Sequence, residues 1–335
     1  MKNLTKAYYC FPELNSSCTK DFRSPIGYFI MYTFFLSVSV STVFLNLLVI
    51  ISISHFKLLH TPTNLFILSL SVADLLVGLL VMPVESIKLI ETCWYLGDSF
   101  CYIFPYITFV VVLVSMNNIV FISIDRYIAV CDPLRYTLSV TPGKSALCVC
   151  LNWCASLVCA LLVLQDHLLY PESHRTCHGE CLLIIQLPWI VFDLIVSFAI
   201  TCSIVIGLNV KIFCTAKHQA QVISAFTARV KAGCANRMID KSNSKATKTI
   251  GILVTVYLLS YMYMPYYVCV TFQGTFTSAS LVANSLVWIL YMNSCMNPII
   301  YALFYPWFKA SAKHIITLAI LDSGSSYYKV YSELS

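Results

Sequence analysis

A single carboxylate lies in the middle of an apolar run. Residues 189–196 read WIVFDLIV, and Asp193 is the one ionisable side chain among them. An ionised carboxylate in hydrocarbon costs at least about 2.5 kcal/mol, so Asp193 is expected to face the protein interior and to have a partner. Two kinds of partner fit: the cationic group of a ligand, such as an ammonium, or hydroxyl groups that hydrogen-bond a protonated acid.

Other ionisable residues also interrupt or end apolar runs. Asp74 lies in LSVADLLVG, and Asp125 and Arg126 are adjacent in SIDRYIAV. An intramembrane aspartyl protease would pair Asp74 with Asp193, but it needs one acid in a GxGD-type turn, which the sequence lacks. A Gly-rich phosphate loop, an HExxH motif and a paired CxxC motif are also missing. We therefore expect no enzyme, and no binding of nucleic acid because no basic patch with interleaved aromatics occurs.

The composition is that of a membrane protein. The 335 residues are 59% hydrophobic and only 11% charged, with a mean hydropathy of +0.80. A soluble domain of this length needs more charge to cover its surface, and about 20 apolar residues suffice to cross a bilayer as a helix. Seven segments have that length, and we call them spans one to seven: 26–54, 63–90, 98–131, 143–165, 183–214, 247–272 and 281–304. The predicted fold is an all-α membrane protein with a seven-transmembrane helix bundle. Inverted repeats typical of transporters are not visible.

Basic residues in the loops set the orientation. Of the 21 Lys and Arg residues, six lie on the side of the N-terminus and 15 on the opposite side. The excess of Lys and Arg marks the cytoplasmic side, so the N-terminus is predicted to be extracellular. This divides the chain into an outer tail (1–25), a seven-helix domain (26–304) and an inner segment (305–335). Apolar residues at helical spacing predict a short amphipathic eighth helix in the inner segment.

The outer segments carry two further signs of an extracellular location. Asn3 and Asn15 each begin an Asn-x-Ser/Thr triplet, the acceptor for N-glycosylation. Cysteines also lie in the tail and the outer loops, where oxidising conditions allow disulfides: Cys10, Cys18, Cys93, Cys101, Cys177 and Cys181. Their spacing does not decide how they pair.

The order of several short motifs identifies a family. Asn46 in FLNLLVI, Asp74 in LSVADLLVG, Asp125-Arg126-Tyr127, Trp153 and Asn297-Pro298-x-x-Tyr301 follow one another in spans one, two, three, four and seven. This ordered set resembles the rhodopsin-like G-protein-coupled receptors. The stretches NSCMNPIIYALFYPWF (293–308), CWYLGDSFC (93–101) and AKHQAQ (216–221) are similar to the trace amine-associated receptors in particular.

The resemblance implies roles for the residues of these motifs. Asp74, Asn46 and Asn297 would line a hydrated pocket that can hold a sodium ion, and no other cofactor is expected. In the motif Asp125-Arg126-Tyr127, the acid would pair with the arginine in the resting receptor and release it toward the G protein on activation. Pro298 would kink span seven and allow Tyr301 to move.

The resemblance also implies two disulfides. Cys101 would bond to Cys181 and tie span three to the loop over the pocket. A second bridge would join the outer tail to the same loop, and it would link Cys177 to Cys18 or, alternatively, to Cys10.

The resemblance implies which ligand group Asp193 binds. Most amine receptors carry an aspartate in span three at the position of Thr108, so the usual ammonium partner is absent here. A subset of fish receptors in the family resembles this chain in lacking that acid and in carrying one in span five. Asp193 would therefore pair with the ammonium of a small amine, and the residues expected around it are Thr108, Phe109, Phe192, Tyr261, Trp288 and Tyr291.

Spans five and six depart from the family pattern. Thr201 occupies the position of the common proline of span five. In span six, Tyr261 replaces the tryptophan at the pocket floor, and Pro265 lies two residues later than the usual proline, whose place Tyr263 holds. These changes affect the helices that rearrange on activation.

The function expected from these features is that of an olfactory-type amine receptor in the plasma membrane. It would couple to a stimulatory G protein and cyclic AMP, with arrestin as a further partner and membrane lipid around it. The alternative is a rhodopsin-like receptor for a non-amine ligand, in which Asp193 serves structure alone. The identity of the amine and the oligomeric state do not follow from the sequence.

Overall fold

Long apolar helices occupy six of the seven predicted spans. A computed structural model describes residues 8–169, 177–181, 183, 185–230, 276–304, 306–322 and 324–327. The helices of spans one, three, four and seven are Pro25–His55, Asp98–Cys131, Pro142–Val163 and Phe276–Phe304. Span two consists of Pro62–Leu76, Val77–Val81 and Met82–Glu91, and span five of Leu187–Asp193, Leu194–Ile200 and Thr201–Val230. Span six, with the changes at Tyr261, Tyr263 and Pro265, lies outside the described residues. The helical architecture confirms the predicted fold class.

The shorter elements lie in the loops and at the ends. They are the strands Tyr8–Tyr9 and Thr19–Lys20, the helices Pro133–Ser139, Gln165–Leu169 and Pro306–Ile316, and the single turns Lys57–Leu59, Ala319–Leu321 and Ser325–Tyr327. The two strands pair antiparallel in the outer tail.

Three spans begin with the same two-residue signal. Ser24, Thr61 and Thr141 each precede a proline at the start of spans one, two and four. Their hydroxyl oxygens accept hydrogen bonds from the backbone N–H three residues later, at 3.1, 3.3 and 3.4 Å. A Ser or Thr cap satisfies a free N–H group of the first turn. Proline is tolerated in that turn because its missing N–H would have no partner within the helix there. These dipeptides therefore fix where the three helices start.

Spans two and five each contain a π-helical stretch. The stretch in span two covers Val77–Val81, and the one in span five covers Leu194–Ile200. In span two, Ser39 of span one donates a hydrogen bond to the Gly78 carbonyl at 2.7 Å. A Cβ atom at Gly78 would come within 3.0 Å of Thr42. Glycine therefore permits the close contact between spans one and two at this level.

Polar side chains connect spans two, three and four inside the bundle. The Ser69 hydroxyl accepts hydrogen bonds from Asn118 at 3.0 Å and from the Trp153 indole at 3.1 Å. Asn117 of span three donates to Asn152 of span four at 3.0 Å. Inside a bilayer such groups must find partners within the protein, so these bonds also determine which helix faces meet.

The inner end of span seven turns sharply into the eighth helix. The bend between Val287–Leu303 and Trp307–Ile316 is 102°. Trp307 and Phe308 are both 3% exposed and pack in one cluster with residues of spans one and two, including Phe56. The amphipathic helix predicted in segment 305–335 is therefore present, and its apolar face covers the inner end of the bundle.

Three disulfides hold the outer side together. The pairs are Cys101–Cys181, Cys18–Cys177 and Cys10–Cys93. The first two are pairings that the resemblance implies, and Cys18 rather than Cys10 bonds to Cys177. The third pairing is an addition to the sequence-based account, because Cys10 bridges to the loop after span two and not to the loop over the pocket.

An ion pair adds to the attachment of the tail. The Lys20 ammonium lies 2.5 Å from a Glu91 carboxylate oxygen at the outer end of span two. Tyr32 of span one donates a hydrogen bond to the other oxygen of Glu91 at 2.7 Å. The hydrogen bond to Glu91 raises the pKa of Lys20 above its usual value, so Lys20 stays protonated at physiological pH. The pair is partly exposed and stabilises the fold by about 1 kcal/mol at most.

Candidate ligand and signalling sites

Asp193 faces into the bundle. It is the last residue of the helix Leu187–Asp193, and the π-helical stretch begins directly after it. Asp193 is only 5% exposed, whereas Phe192 before it and Ile195 two residues after it are 42% and 51% exposed. Leu194, directly after the acid, is half-buried. The acid is therefore enclosed by protein, while Phe192 and Ile195 point outward.

Thr108 offers a second polar group in the outer half of the bundle. It lies in span three, which packs along the inner part of span five, Thr201–Val230. Its hydroxyl oxygen is buried and has no hydrogen-bond partner among the residues that the structure describes. A buried hydroxyl without a partner is unfavourable, so this group is suited to a ligand or a water molecule.

Two of the aromatic residues expected around Asp193 lie elsewhere. Phe192 is exposed, and its ring contacts Trp189 edge-on at 5.8 Å. Phe109 packs with a cluster of small residues that includes Ala73 of span two and Ala160 of span four. Adjacent residues of a helix point about 100° apart, so neither neighbour of a pocket residue need share its direction. We therefore leave both phenylalanines out of the pocket.

Trp288 and Tyr291 of span seven lie toward spans one and two. The Trp288 ring is 4.1 Å from that of Phe35 in span one and 6.0 Å from that of Tyr291. Both span-seven residues belong to a buried cluster with Val77 and Val81 of span two. Trp288 and Tyr291 are therefore also left out of the pocket around Asp193, and the expected contact Tyr261 lies outside the described residues.

A second buried acid, Asp74, forms a polar centre in the middle of the bundle. It is 0% exposed. Its carboxylate accepts hydrogen bonds from Asn297 at 2.8 Å and Ser115 at 3.1 Å. Asn46 joins the centre indirectly, because its amide donates to the backbone carbonyl of Ser294 at 3.0 Å. Ser115 and Ser294 extend the trio predicted from sequence.

A small cavity adjoins this centre. It is lined by residues of spans two, three and seven: Val77, Val112, Ser115, Leu290, Tyr291, Asn293 and Ser294. Among the described residues, the Asn46 side-chain oxygen is buried without a hydrogen-bond partner. The region thus combines a carboxylate, hydroxyl groups and an unused amide oxygen, which are the hard oxygen donors that a small cation prefers.

The inner end of span three holds the predicted ion pair. The guanidinium of Arg126 lies 2.6 Å from the Asp125 carboxylate, and Asp125 is 3% exposed. Two hydroxyls complete the coordination of that acid, from Thr63 of span two at 2.7 Å and Tyr136 of the inner loop at 3.0 Å. Tyr127, the third residue of the motif, is half-buried. Asp125 is therefore held from three elements, and it holds Arg126 in turn.

Thr63 and Tyr136 were not identified as functional residues from the sequence. They lie in the stretches HTPTN and CDPLRY, and only the folded chain places them against Asp125. Burial raises the pKa of the Tyr136 hydroxyl, so it stays protonated and donates to the acid.

Span seven remains helical through Pro298. Tyr301, one turn further, is 6% exposed and lies in the cluster of Trp307 and Phe308. The side chain expected to move on activation is therefore enclosed at the junction with the eighth helix.

Comparison with known proteins assigns the chain to a family. Residues 45–301 match the 7 transmembrane receptor (rhodopsin family). The chain is 38% identical to trace amine-associated receptor 7f of Mus musculus over 98% of its own length and 94% of that receptor. It is 36% identical to trace amine-associated receptor 6 of Pan troglodytes, over 98% and 97% of the two chains. This chain belongs to the trace amine-associated receptors.

Membership of the trace amine-associated receptors fixes the general function. The chain is a multi-pass receptor of the plasma membrane with an extracellular N-terminus, and it is not an enzyme. As a rhodopsin-family receptor it responds to a small-molecule ligand and acts on a G protein. Within that frame, the contacts of Asp125 and Arg126 lie at the inner end of the bundle, and Asp193 lies in its outer half.

Proposed function

We propose that this receptor binds a small amine through Asp193 and activates a stimulatory G protein that raises cyclic AMP. The observation that carries the proposal is the buried acid of span five, enclosed by protein while Phe192 and Ile195 face outward. The relatives are named trace amine-associated receptors, which supports an amine as the class of ligand.

A ligand ammonium is the cation that fits Asp193 best. The sequence contains no Lys or Arg in the outer halves of spans three, five, six and seven, so the protein does not provide a positive charge from these helices. Two opposite charges attract each other more strongly at the low effective dielectric of a buried site than in water. An entering ammonium would therefore gain a strong partner in Asp193.

Thr108 would contribute to the same pocket. The buried hydroxyl of this span-three residue lacks a partner among the described residues, and it would hydrogen-bond the amine from the side opposite span five. In this proposal the chain keeps a polar group at the position of the usual span-three acid but moves the charge to span five. Tyr261 stays a predicted aromatic contact.

One observation favours the alternative of a non-amine ligand. Asp193 is only 5% exposed, and burial favours the neutral form of an acid, as a purely structural role would require. The two functions differ in whether the ligand must carry a positive charge.

The test uses cells that express the receptor and a panel of primary, secondary and tertiary amines. At least one amine should raise cyclic AMP at micromolar concentration, and cells that lack the stimulatory Gα subunit should give no response. Permanently neutral analogues of the active amine, of equal size, should be inactive or at least about 30-fold weaker, as expected for a lost charge pair. Equal potency of an amine and its neutral analogue would favour the alternative.

We also propose that the polar centre at Asp74 holds a sodium ion in the resting receptor. The Asp74 carboxylate, the Ser115 hydroxyl and the Asn46 oxygen, which lacks a partner in the described part of the chain, are the donors that would hold it. Replacing external and internal sodium by a large organic cation should increase amine potency about fivefold or more, a usual allosteric coupling. The variant Asp74→Asn should lose this dependence, and persistence of the sodium effect in that variant would contradict the assignment.

Further expected properties complete the proposal. An olfactory-type role, binding of arrestin, and glycosylation at Asn3 and Asn15 follow from the family resemblance and the outer location of the tail. Asn15 is exposed, and Asn3 lies outside the described residues. A change in electrophoretic mobility after glycosidase treatment, lost in Asn15→Gln, checks the exposed acceptor.

A further inference from the structure

The direction of Asp193 depends on an irregularity in span five. Regular helix ends at Asp193, a π-helical stretch covers Leu194–Ile200, and regular helix resumes at Thr201. A π-helical turn closes its hydrogen bonds one residue later than an α-helical turn and so contains about one residue more. Such a turn needs a local cause, because the α-helical ladder is otherwise the more favourable arrangement.

The wide turn determines which residue faces the bundle. One α-helical turn of about 3.6 residues and one wider turn together contain about eight residues, which is the separation between positions 193 and 201. Asp193 and Thr201 therefore lie on the same face, and they are 5% and 7% exposed. In an uninterrupted α-helix two turns contain about seven residues, and Leu194 would lie above Thr201 instead.

The pattern of burial along span five agrees with this register. Below Thr201 the buried face continues at Val205 and Asn209, which are 2% and 9% exposed. Within the π-helical stretch, Ile195 and Ile200 are 51% and 48% exposed. The wide turn thus connects the inner face of the lower helix to Asp193.

Thr201 makes a hydrogen bond across the wide turn. Its hydroxyl donates to the Val196 carbonyl, five residues earlier, at 3.2 Å. Other polar side chains of this span reach four residues back, as regular helix geometry requires: Ser203 donates to the Ala199 carbonyl at 2.7 Å. A backbone carbonyl without a partner is costly within a membrane. The Thr201 hydroxyl therefore stabilises the wide turn, because it bonds a carbonyl five residues back, whereas an α-helical N–H group bonds the carbonyl four residues back.

We propose that Thr201 is a positioning residue for the amine site: its hydroxyl holds the wide turn that directs Asp193 into the bundle. The common proline at this position would interrupt the ladder because it has no N–H group. Thr201 has that N–H group, and its side chain stabilises the turn instead. The role of Asp193 in ligand binding rests on the proposed function, but the direction of position 193 can be measured without a ligand.

The experiment compares single thiols introduced by Asp193→Cys or Leu194→Cys. Each cysteine is introduced into four receptors: the one with the native Thr201, and the variants Thr201→Val, Thr201→Ser and Thr201→Pro. Intact cells are treated from outside with the membrane-impermeant reagent 2-(trimethylammonio)ethyl methanethiosulfonate, and the modification rate is measured on receptor purified from the cell surface. The parent receptor without the added thiol gives the background of the native cysteines.

The expected result is a reciprocal change. With Thr201, the thiol at position 193 should react faster than the thiol at 194. Thr201→Val should lower the ratio of the two rates about three- to tenfold, the shift that loss of one membrane hydrogen bond produces. Thr201→Ser keeps the hydroxyl, so it should preserve the ratio of the two rates. Thr201→Pro should preserve it as well, because a residue without an N–H group interrupts the α-helical hydrogen bonds and so maintains the wide turn. A variant that merely destabilises the bundle would change both rates in the same direction, and an unchanged ratio in Thr201→Val would overturn the proposal.

Amine potency in receptors that retain Asp193 separates the two proposals. Thr201→Val should lower potency about three- to tenfold at equal surface expression, and Thr201→Pro should restore it. Asp193→Asn can leave amine potency unchanged while the ratio of the modification rates at positions 193 and 194 still changes with the residue at 201. In that case the proposed amine site is wrong and the positioning role of Thr201 is supported. If Asp193→Asn abolishes the response while the thiol ratio stays constant, the positioning role is wrong and the amine site stands.

Discussion

Replacing Asp193 by asparagine should reduce the potency of the activating amine about 30-fold or more, because truncating one partner of a buried charge pair costs about 2–5 kcal/mol. Asparagine keeps the size of the side chain and can still accept hydrogen bonds. The loss would therefore report the negative charge and not the packing of span five. Concentration–response curves for cyclic AMP at equal surface expression give the measurement.

Two matched variants control this prediction. Asp21→Asn removes an exposed acid of the outer tail, and Phe192→Ala removes the exposed neighbour of Asp193 in the same helix. Both should stay within about threefold of the unaltered receptor, as surface substitutions usually do. A response of Asp193→Asn that matches these controls would leave Asp193 with a structural role and would favour the non-amine alternative.

The variant Asp125→Asn should raise the basal level of cyclic AMP about three- to tenfold in the absence of ligand. Asp125 is almost fully buried and pairs with Arg126 at 2.6 Å. Neutralising the acid weakens the contact that holds Arg126 in the resting receptor, so the population with a free Arg126 increases. The predicted effect is moderate because the Arg126 side chain is 39% exposed and water screens part of the attraction.

The hydroxyl partners of Asp125 supply graded tests of the same contact. Thr63→Val and Tyr136→Phe each remove one hydrogen bond and keep the charge, so they should raise basal cyclic AMP by less than Asp125→Asn. Asp132→Asn, an exposed acid nearby, should not change it. Arg126→Ala should abolish the response to the amine. If Asp125→Asn and Asp132→Asn gave the same basal level, the ion pair would not restrain the receptor.

Most of the fold could be predicted because each span carries its own signal. Apolar length located the spans, and helix-starting pairs such as Thr61-Pro62 act within a few residues of the chain. The inward direction of Asp74 and Asn297 was also predictable, because a polar side chain in an apolar helix must turn inward and find a partner. That the two meet was implied by the family resemblance.

The parts that sequence could not supply depend on contacts between distant segments. The Cys10–Cys93 bridge joins residues 83 positions apart, and nothing in the spacing of the outer cysteines distinguishes it from the alternatives. The hydroxyl of Tyr136 reaches Asp125 only because the inner loop folds back under span three. Such pairings are properties of the assembled bundle.

The neighbours of Asp193 show a second limit. Adjacency in sequence does not give adjacency in a helix, because successive residues point about 100° apart. Phe192 was expected in the pocket because it is adjacent to Asp193 in sequence, yet it is exposed. Trp288 was expected there from its span, yet it packs against Phe35 on the span-one side.

The claim that a ligand ammonium pairs with Asp193 is tested most directly by a cycle of two ligands and two receptors. The ligands are an active amine and its neutral analogue of equal size, and the receptors are the unaltered chain and Asp193→Asn. In the unaltered receptor the amine should be more potent than the analogue by about 100-fold, and in Asp193→Asn this ratio should fall below about fivefold, because the advantage comes from one charge pair. The same ratio in both receptors would contradict the pairing.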